Sequence, residues 1–125
     1  MPTSKSDLYV ITLAKKLADY VLQATEKAPK RFRYSYLSKI ENVSLEIVML
    51  LYEANDTRLG NAMRREKQDC VVTRLKILDF LSEEAMKNKC FLSHQYEVIS
   101  KMIYDCNKSL LSWMKSDQER MALLQ

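Results

Sequence analysis

Basic and aromatic side chains are interleaved in the segment "APKRFRYSYLSK", just ahead of a long apolar pattern. Arginine and lysine can neutralise phosphates, and aromatic rings can stack on unpaired bases. The residues that could do so are Lys30, Arg31, Arg33, Lys39, Phe32, Tyr34 and Tyr36. The segment therefore predicts contact with nucleic acid or another polyanion, although the solvated start of a bundle helix has a similar composition.

A second basic set follows around the connection between the second and third predicted helices and along the third. Its members are Arg58, Arg64, Arg65, Lys67, Arg74 and Lys76. The net charge is +4, and residues 1–67 hold the whole surplus, with 12 basic against 8 acidic residues. We expect both sets to contribute to a surface for nucleic acid or an acidic partner.

Groups that could perform catalysis are sparse. His94 is the only histidine, and no motif supplies it with an orienting or metal partner. The chain contains neither a glycine-rich phosphate loop nor the paired Glu-x-x-His motifs of a metal-binding bundle. We interpret the acidic pair Asp117–Glu119 as part of a solvated helix face. The sequence therefore predicts no enzyme activity, no cofactor and no metal site.

Cysteine usage and hydropathy bear on the compartment. Cys70, Cys90 and Cys106 form an odd set with no close pair and no zinc-ligand spacing. We therefore expect three buried thiols in a reducing cytoplasm. No apolar run is long enough to cross a bilayer, and the first ten residues lack the apolar core of a signal peptide.

The elements that must position these side chains are helices. With one glycine and two prolines, the chain lacks the turn residues that a β-rich fold needs. Apolar residues recur at helical spacing over four segments, at about 7–27, 33–56, 62–87 and 93–115. The tail after residue 115 either frays or extends the last helix. We predict one domain over residues 1–125, an all-α, up-down-up-down antiparallel four-helix bundle.

Particular residues mark the predicted helix ends. Ser6 or Asp7 can cap the first helix, and Pro29 stops it. Gly60 suits a left-handed position in the connection before the third helix. Ser93 is a good N-cap for the fourth helix.

The order of residues in the opening segment resembles one protein family. The successive pieces "PK", "RYS" and "KIEN", followed by an apolar helix ending in "EAN", are similar to the accessory variability determinant proteins of diversity-generating retroelements. The later stretches "FLSHQYEVISKMI" and "SLLSWMKS" resemble the start and end of that family's last helix. The resemblance covers most of residues 8–116. It departs from the family pattern at Leu111 and Ser112, at residues 57–70, and in the acidic third helix.

This resemblance implies a four-helix bundle that assembles into a homo-oligomer, a pentamer, with a positively charged surface. It implies binding to the element's reverse transcriptase and to RNA or DNA, in support of mutagenic copying and without catalysis. Lys30, Arg33 and Lys39 match basic positions of the family, whereas Arg31 does not. Tyr34, Leu37 and Ile40 are expected to serve the fold.

Two other functions remain open on the sequence. The same fold occurs in proteins encoded in intervening sequences of large-subunit ribosomal RNA genes, whose role is unclear. A helical oligomer that binds only protein would also fit, and it predicts no salt-dependent binding of RNA.

Overall fold

Four α-helices account for most of the chain. The computed structural model describes residues 8–124, apart from the side chain of Tyr34. The helices are α1 (Tyr9–Lys27), α2 (Ser38–Asp56), α3 (Ala62–Lys87) and α4 (Ser93–Leu124), and this part of the chain contains no strand. Helix α2 packs on α1 and α3, and α4 packs on the same two helices, so α2 and α4 occupy opposite corners. The predicted all-α four-helix bundle is confirmed.

One stripe of each helix faces a common core, as the helical spacing predicts. In α2 the buried positions are Ile40, Ser44, Ile47, Leu51 and Ala54. Those of α4 are Ile99, Ile103, Cys106, Leu110, Met114 and Asp117. Removing these side chains from water supplies the main free energy of folding, at about 25 cal/mol per Å² of apolar surface.

Helix ends fall where the local chemistry of the chain requires them. Ala28 is extended, with φ −77° and ψ 157°, because Pro29 excludes the helical region for the residue before it. Gly60 has a φ of +101°, a backbone conformation that favours glycine. The Asn61 side chain then caps α3 by accepting a hydrogen bond from the Met63 amide at 2.9 Å. The expected cap at Ser6 or Asp7 lies outside the described residues.

The segment between α1 and α2 is helical but not α-helical. It consists of a 3₁₀ turn at Lys30–Phe32 and a π-helical turn at Arg33–Leu37. The Ser38 hydroxyl donates to the Arg33 carbonyl oxygen at 2.9 Å, across the wider turn. Helical backbone is therefore present near residue 33, where the second helix was expected to start, but the α-helix itself begins only at Ser38. Leu37 and Ile40 are buried, as expected.

Helix α4 continues well beyond residue 115, to Leu124. The tail therefore extends the last helix, one of the two outcomes that the sequence left open. Asp117 lies on the buried side of this extension with 7% of its surface exposed, so its assignment to a solvated face was wrong. Glu119, two residues later, is exposed as expected.

Candidate nucleic-acid interface

The first basic set lies at one end of the bundle, where α1 ends and α2 begins. Lys30, Arg31, Arg33 and Lys39 are all exposed. None of them forms a salt bridge with an acid in residues 8–124. We call these four residues the basic end. Their charges are free to meet the phosphates of a partner.

Aromatic side chains fix the backbone that carries these cations. Phe32 and Tyr36 are half-buried and pack against the core, with ring centroids 6.2 Å apart. The Arg31 guanidinium lies over the Phe32 ring, 4.8 Å from its centroid. The two rings therefore anchor the irregular turns to the bundle, and base stacking is not the role that their packing favours.

A cleft between the end of α1 and the start of α2 brings two of the cations together. Lys30 and Arg33 line this cleft, which has a volume of about 640 Å³. Glu26 and Glu41 lie on the same wall. The Thr25 hydroxyl donates to the Glu41 carboxylate at 2.7 Å, which ties that acid to α1. The cleft lining therefore carries two cations and two acids, and its formal charge is balanced.

The connection between α3 and α4 closes the same end of the bundle. The Asn88 side-chain amide donates to the Tyr36 hydroxyl at 3.0 Å. Burial raises the pKa of the Cys90 thiol, and the positive charge of nearby Arg31 opposes that rise. Lys89, between these two residues, is exposed with a φ of +66°. Lys89 thus adjoins the basic end, although it is not among the ten contact residues predicted from the sequence.

The net charge of this end is positive. Residues 26–41 contain five basic and two acidic side chains. At the opposite end, residues 53–69 contain four of each and balance. Most of the chain's surplus of +4 therefore lies around the basic end.

The second basic set is largely committed to the fold. The Arg64 guanidinium donates two hydrogen bonds to the Asp117 carboxylate, at 2.7 and 2.9 Å, and a third to the Thr57 carbonyl oxygen. Its Cζ atom lies over the Trp113 ring, 5.1 Å from the ring centroid. Gln68 adds a hydrogen bond to Asp117 at 3.0 Å. Arg64 therefore joins α3 to α4, and we leave it out of the candidate interface.

Three further members of the second set are also neutralised within the chain. Ion pairs link Arg65 to Asp69 at 3.2 Å, Lys67 to Glu53 at 3.1 Å and Arg74 to Glu46 at 3.2 Å. Arg58 and Lys76 remain exposed, without an acid partner in residues 8–124. The structure thus does not unite the ten predicted residues into one surface.

The remaining predicted features can be placed as well. Cys90 and Cys106 are buried, as expected, but Cys70 is exposed on α3, so its expected burial was wrong. His94 is exposed at the start of α4. No group of three or more His, Cys, Asp or Glu side chains in residues 8–124 could hold a metal ion. None of the four helices is long and apolar enough to span a membrane.

Comparisons with known proteins supply no family. No family model matches the chain, and a search of curated proteins finds no similar sequence. The functional argument therefore depends on the geometry and charge of the two basic sets.

Proposed function

We propose that this chain is a non-catalytic accessory protein that binds RNA or DNA through the basic end of a four-helix bundle. One observation carries the proposal: Lys30, Arg31, Arg33 and Lys39 are exposed at one end without an acid partner in residues 8–124, whereas four of the six cations in the second basic set are ion-paired. Free clustered cations release counterions from a nucleic-acid backbone and so provide salt-dependent affinity.

The resemblance to accessory variability determinant proteins extends this proposal. On that basis the partners are the reverse transcriptase of a diversity-generating retroelement and its template RNA or cDNA, and the protein acts in the cytoplasm as a homo-oligomer, a pentamer. The matching residues Lys30, Arg33 and Lys39 all belong to the basic end. The irregular 3₁₀ and π-helical turns also lie here, and such turns are frequent at functional sites.

A purely protein-binding helical oligomer is the second candidate. Exposed apolar side chains favour it, among them Met49, Tyr104 and Leu111, with exposed fractions of 58%, 63% and 48%. The two candidates differ in one measurable property, because only nucleic-acid binding weakens steeply with salt through counterion release.

Fluorescence anisotropy with a labelled structured RNA, titrated at several salt concentrations, tests the proposal. The variant Lys30→Gln/Arg33→Gln/Lys39→Gln should flatten the plot of log affinity against log salt by up to about three units. A matched control, Arg65→Gln/Lys67→Gln/Arg74→Gln, removes the same net charge from ion-paired positions. It should change the slope by less than about one unit.

Two results would overturn the proposal. The first is wild-type protein that binds neither RNA nor single-stranded DNA at low salt. The second is an equal loss of slope in the two triple variants, because that would show that only net charge matters.

A further inference from the structure

Helix α2 carries an exposed apolar stripe on its outer side. Leu45, Met49 and Tyr52 are 44%, 58% and 36% exposed. Their spacing of four and three residues places them on one side of the helix. We call these three residues the α2 stripe. Glu46 and Glu53 flank it and are about half exposed in their side chains.

Helix α4 carries a second stripe, in which apolar and basic side chains alternate. Tyr104 and Leu111 are 63% and 48% exposed. Lys101, Lys108 and Lys115 are exposed between and beside them, at intervals of seven residues. We call these five residues the α4 stripe. Lys101 is paired with Asp105 of the same helix at 2.7 Å, whereas Lys108 and Lys115 have no acid partner within residues 8–124.

The charges beside the two stripes are opposite in sign. Glu46, Glu53 and Asp56 are exposed along the outer side of α2. Each of the ion pairs that hold Glu46 and Glu53 to α3 uses one carboxylate oxygen. The other oxygen can accept a hydrogen bond from a lysine of another molecule. Acidic residues border the α2 stripe, and lysines form part of the α4 stripe.

The spacing of these charges also matches. Glu46 and Glu53 are seven residues apart, as are successive lysines of the α4 stripe. Seven residues span about 10.5 Å in either helix. Within the bundle, Glu46 pairs with Arg74 of α3, and the neighbouring Lys76 lines one cavity with Tyr104 and Asn107 of α4. Glu46 therefore lies at a height between those of Lys101 and Lys108.

Both helices begin at the same end of the bundle, because the hydrogen bond from Asn88 to Tyr36 joins the two connections there. They therefore run in the same direction. A rotation about an axis parallel to the bundle lays α4 of one copy beside α2 of the next without reversing either helix. Glu46 and Glu53 of one copy then lie at heights between successive lysines of the α4 stripe of the next copy.

We propose that the α2 stripe of one copy packs against the α4 stripe of a second copy of this chain, with Glu46 and Glu53 meeting lysines of the α4 stripe. This contact rests on the homo-oligomer in the proposed function and specifies its surfaces. Because the stripes lie on opposite corners of the bundle, each protomer uses both, and the contact is head-to-tail. Such contacts generate rings, or filaments where the rotation does not close.

Size-exclusion chromatography with light scattering tests the contact by charge reversal. Wild-type protein should have a mass above two protomers at low salt. Lys101→Glu/Lys108→Glu/Lys115→Glu should reduce the mass to one protomer, and so should Glu46→Lys/Glu53→Lys. Mixing the two variants should restore the large species, because each then offers the other a complementary stripe. A control reverses three exposed lysines outside both stripes, Lys16, Lys27 and Lys87, and should assemble like wild type.

Several outcomes would overturn the contact. The first is a wild-type protein that is monomeric or strictly dimeric at low salt. The second is a stripe variant that assembles like the wild-type protein. The third is a pair of folded stripe variants that do not assemble when they are mixed. Circular dichroism checks folding, and the α4 variant carries the test if Glu46→Lys/Glu53→Lys does not fold. If the α4 stripe instead bound nucleic acid, its reversal would abolish RNA binding and leave the mass unchanged.

The RNA measurement separates this inference from the nucleic-acid proposal. The four residues of the basic end lie at one end of the bundle, whereas the stripes lie along its sides. Monomeric stripe variants therefore retain all four cations of the basic end. Wild type that assembles through the stripes but binds no RNA would overturn the nucleic-acid function alone. Salt-sensitive RNA binding by a wild-type monomer would overturn the stripe contact alone.

Discussion

The two ends of the bundle use arginine and lysine differently. At the end formed by residues 57–68 and 113–121, Arg64 is held by Asp117, Thr57 and the ring of Trp113. At the basic end, Lys30, Arg31, Arg33 and Lys39 have no acid partner among the described residues. Removing one member of a buried ion pair leaves an uncompensated charge in the protein, whereas charge left unpaired on the surface is available to a partner. The two ends therefore differ in whether their cations are paired, rather than in how many cations they carry.

The largest expected effect is a loss of stability at the end of the bundle that contains Arg64, which we call the paired end. Arg64→Ala leaves the carboxylate of Asp117, with a side chain only 10% exposed, without its main partner. Because removing one member of a buried ion pair costs about 3–5 kcal/mol, we expect a loss of that size in the free energy of unfolding. Urea denaturation followed by circular dichroism measures it. Arg58→Ala, an exposed and unpaired control at the same end, should change the value by less than about 0.5 kcal/mol.

The next effect tests whether Lys89 belongs to the same binding surface as the basic end. If Lys89 contributes one phosphate contact, Lys89→Gln should weaken RNA binding several-fold and reduce the salt slope by about one unit. Glutamine adopts the φ of +66° found at Lys89 with the same backbone strain as lysine, so folding should be unaffected. Lys67→Gln removes one charge at the paired end and serves as the control. Equal effects of the two substitutions in anisotropy titrations would exclude Lys89 from the surface.

A smaller effect, with the opposite sign to that at Arg64, concerns a buried polar group on the other half of α3. Ser82 is fully buried, and its hydroxyl has no hydrogen-bond partner in the described structure. An unsatisfied buried hydroxyl costs about 1–3 kcal/mol. Ser82→Ala should therefore leave stability unchanged or raise it by about 1 kcal/mol in the same urea experiment. A loss above about 1 kcal/mol would show that the hydroxyl is satisfied in solution.

The smallest effect reports on the position of Arg31. Burial raises the pKa of the Cys90 thiol, and the charge of Arg31 lowers it. Arg31→Gln therefore raises that pKa further, reduces the thiolate fraction at pH 8 and should slow maleimide labelling of Cys90. Cys70→Ser removes the exposed thiol from the assay, and burial raises the pKa of Cys106 to about 12, which keeps it unreactive. An unchanged rate would place Arg31 away from the connection between α3 and α4.

Sequence reasoning predicted the features that depend on local patterns. The bounds of α3 and the start of α4 agree with apolar periodicity, although Leu92, whose carbonyl oxygen accepts from the Tyr96 amide at 3.1 Å, takes the N-cap position predicted for Ser93. The positive φ of Gly60 follows from the turn residues around it. These features depend on interactions between residues a few positions apart, so the sequence contains them directly.

Features that depend on distant residues could not be predicted in this way. Arg64 and Asp117 are 53 positions apart, and neither residue type indicates that it will be buried. Arg74 and Glu46 form a second long-range pair, because they are 28 positions apart in the sequence. Composition therefore assigned both basic sets to one binding surface. The π-helical turn at Arg33–Leu37 was missed because its side-chain pattern resembles that of an ordinary helix start.

The length of α4 offers a way to measure which end a partner occupies. This single helix runs from the basic end to the paired end, and its positions 94 and 122 are both exposed. They are separated by 28 residues, which is about 42 Å at 1.5 Å per residue. Fluorophores placed in turn at His94 and Ala122 would transfer energy with unequal efficiency to a dye on the RNA. The ratio of the two efficiencies would locate the RNA along the bundle axis without any substitution in the basic end.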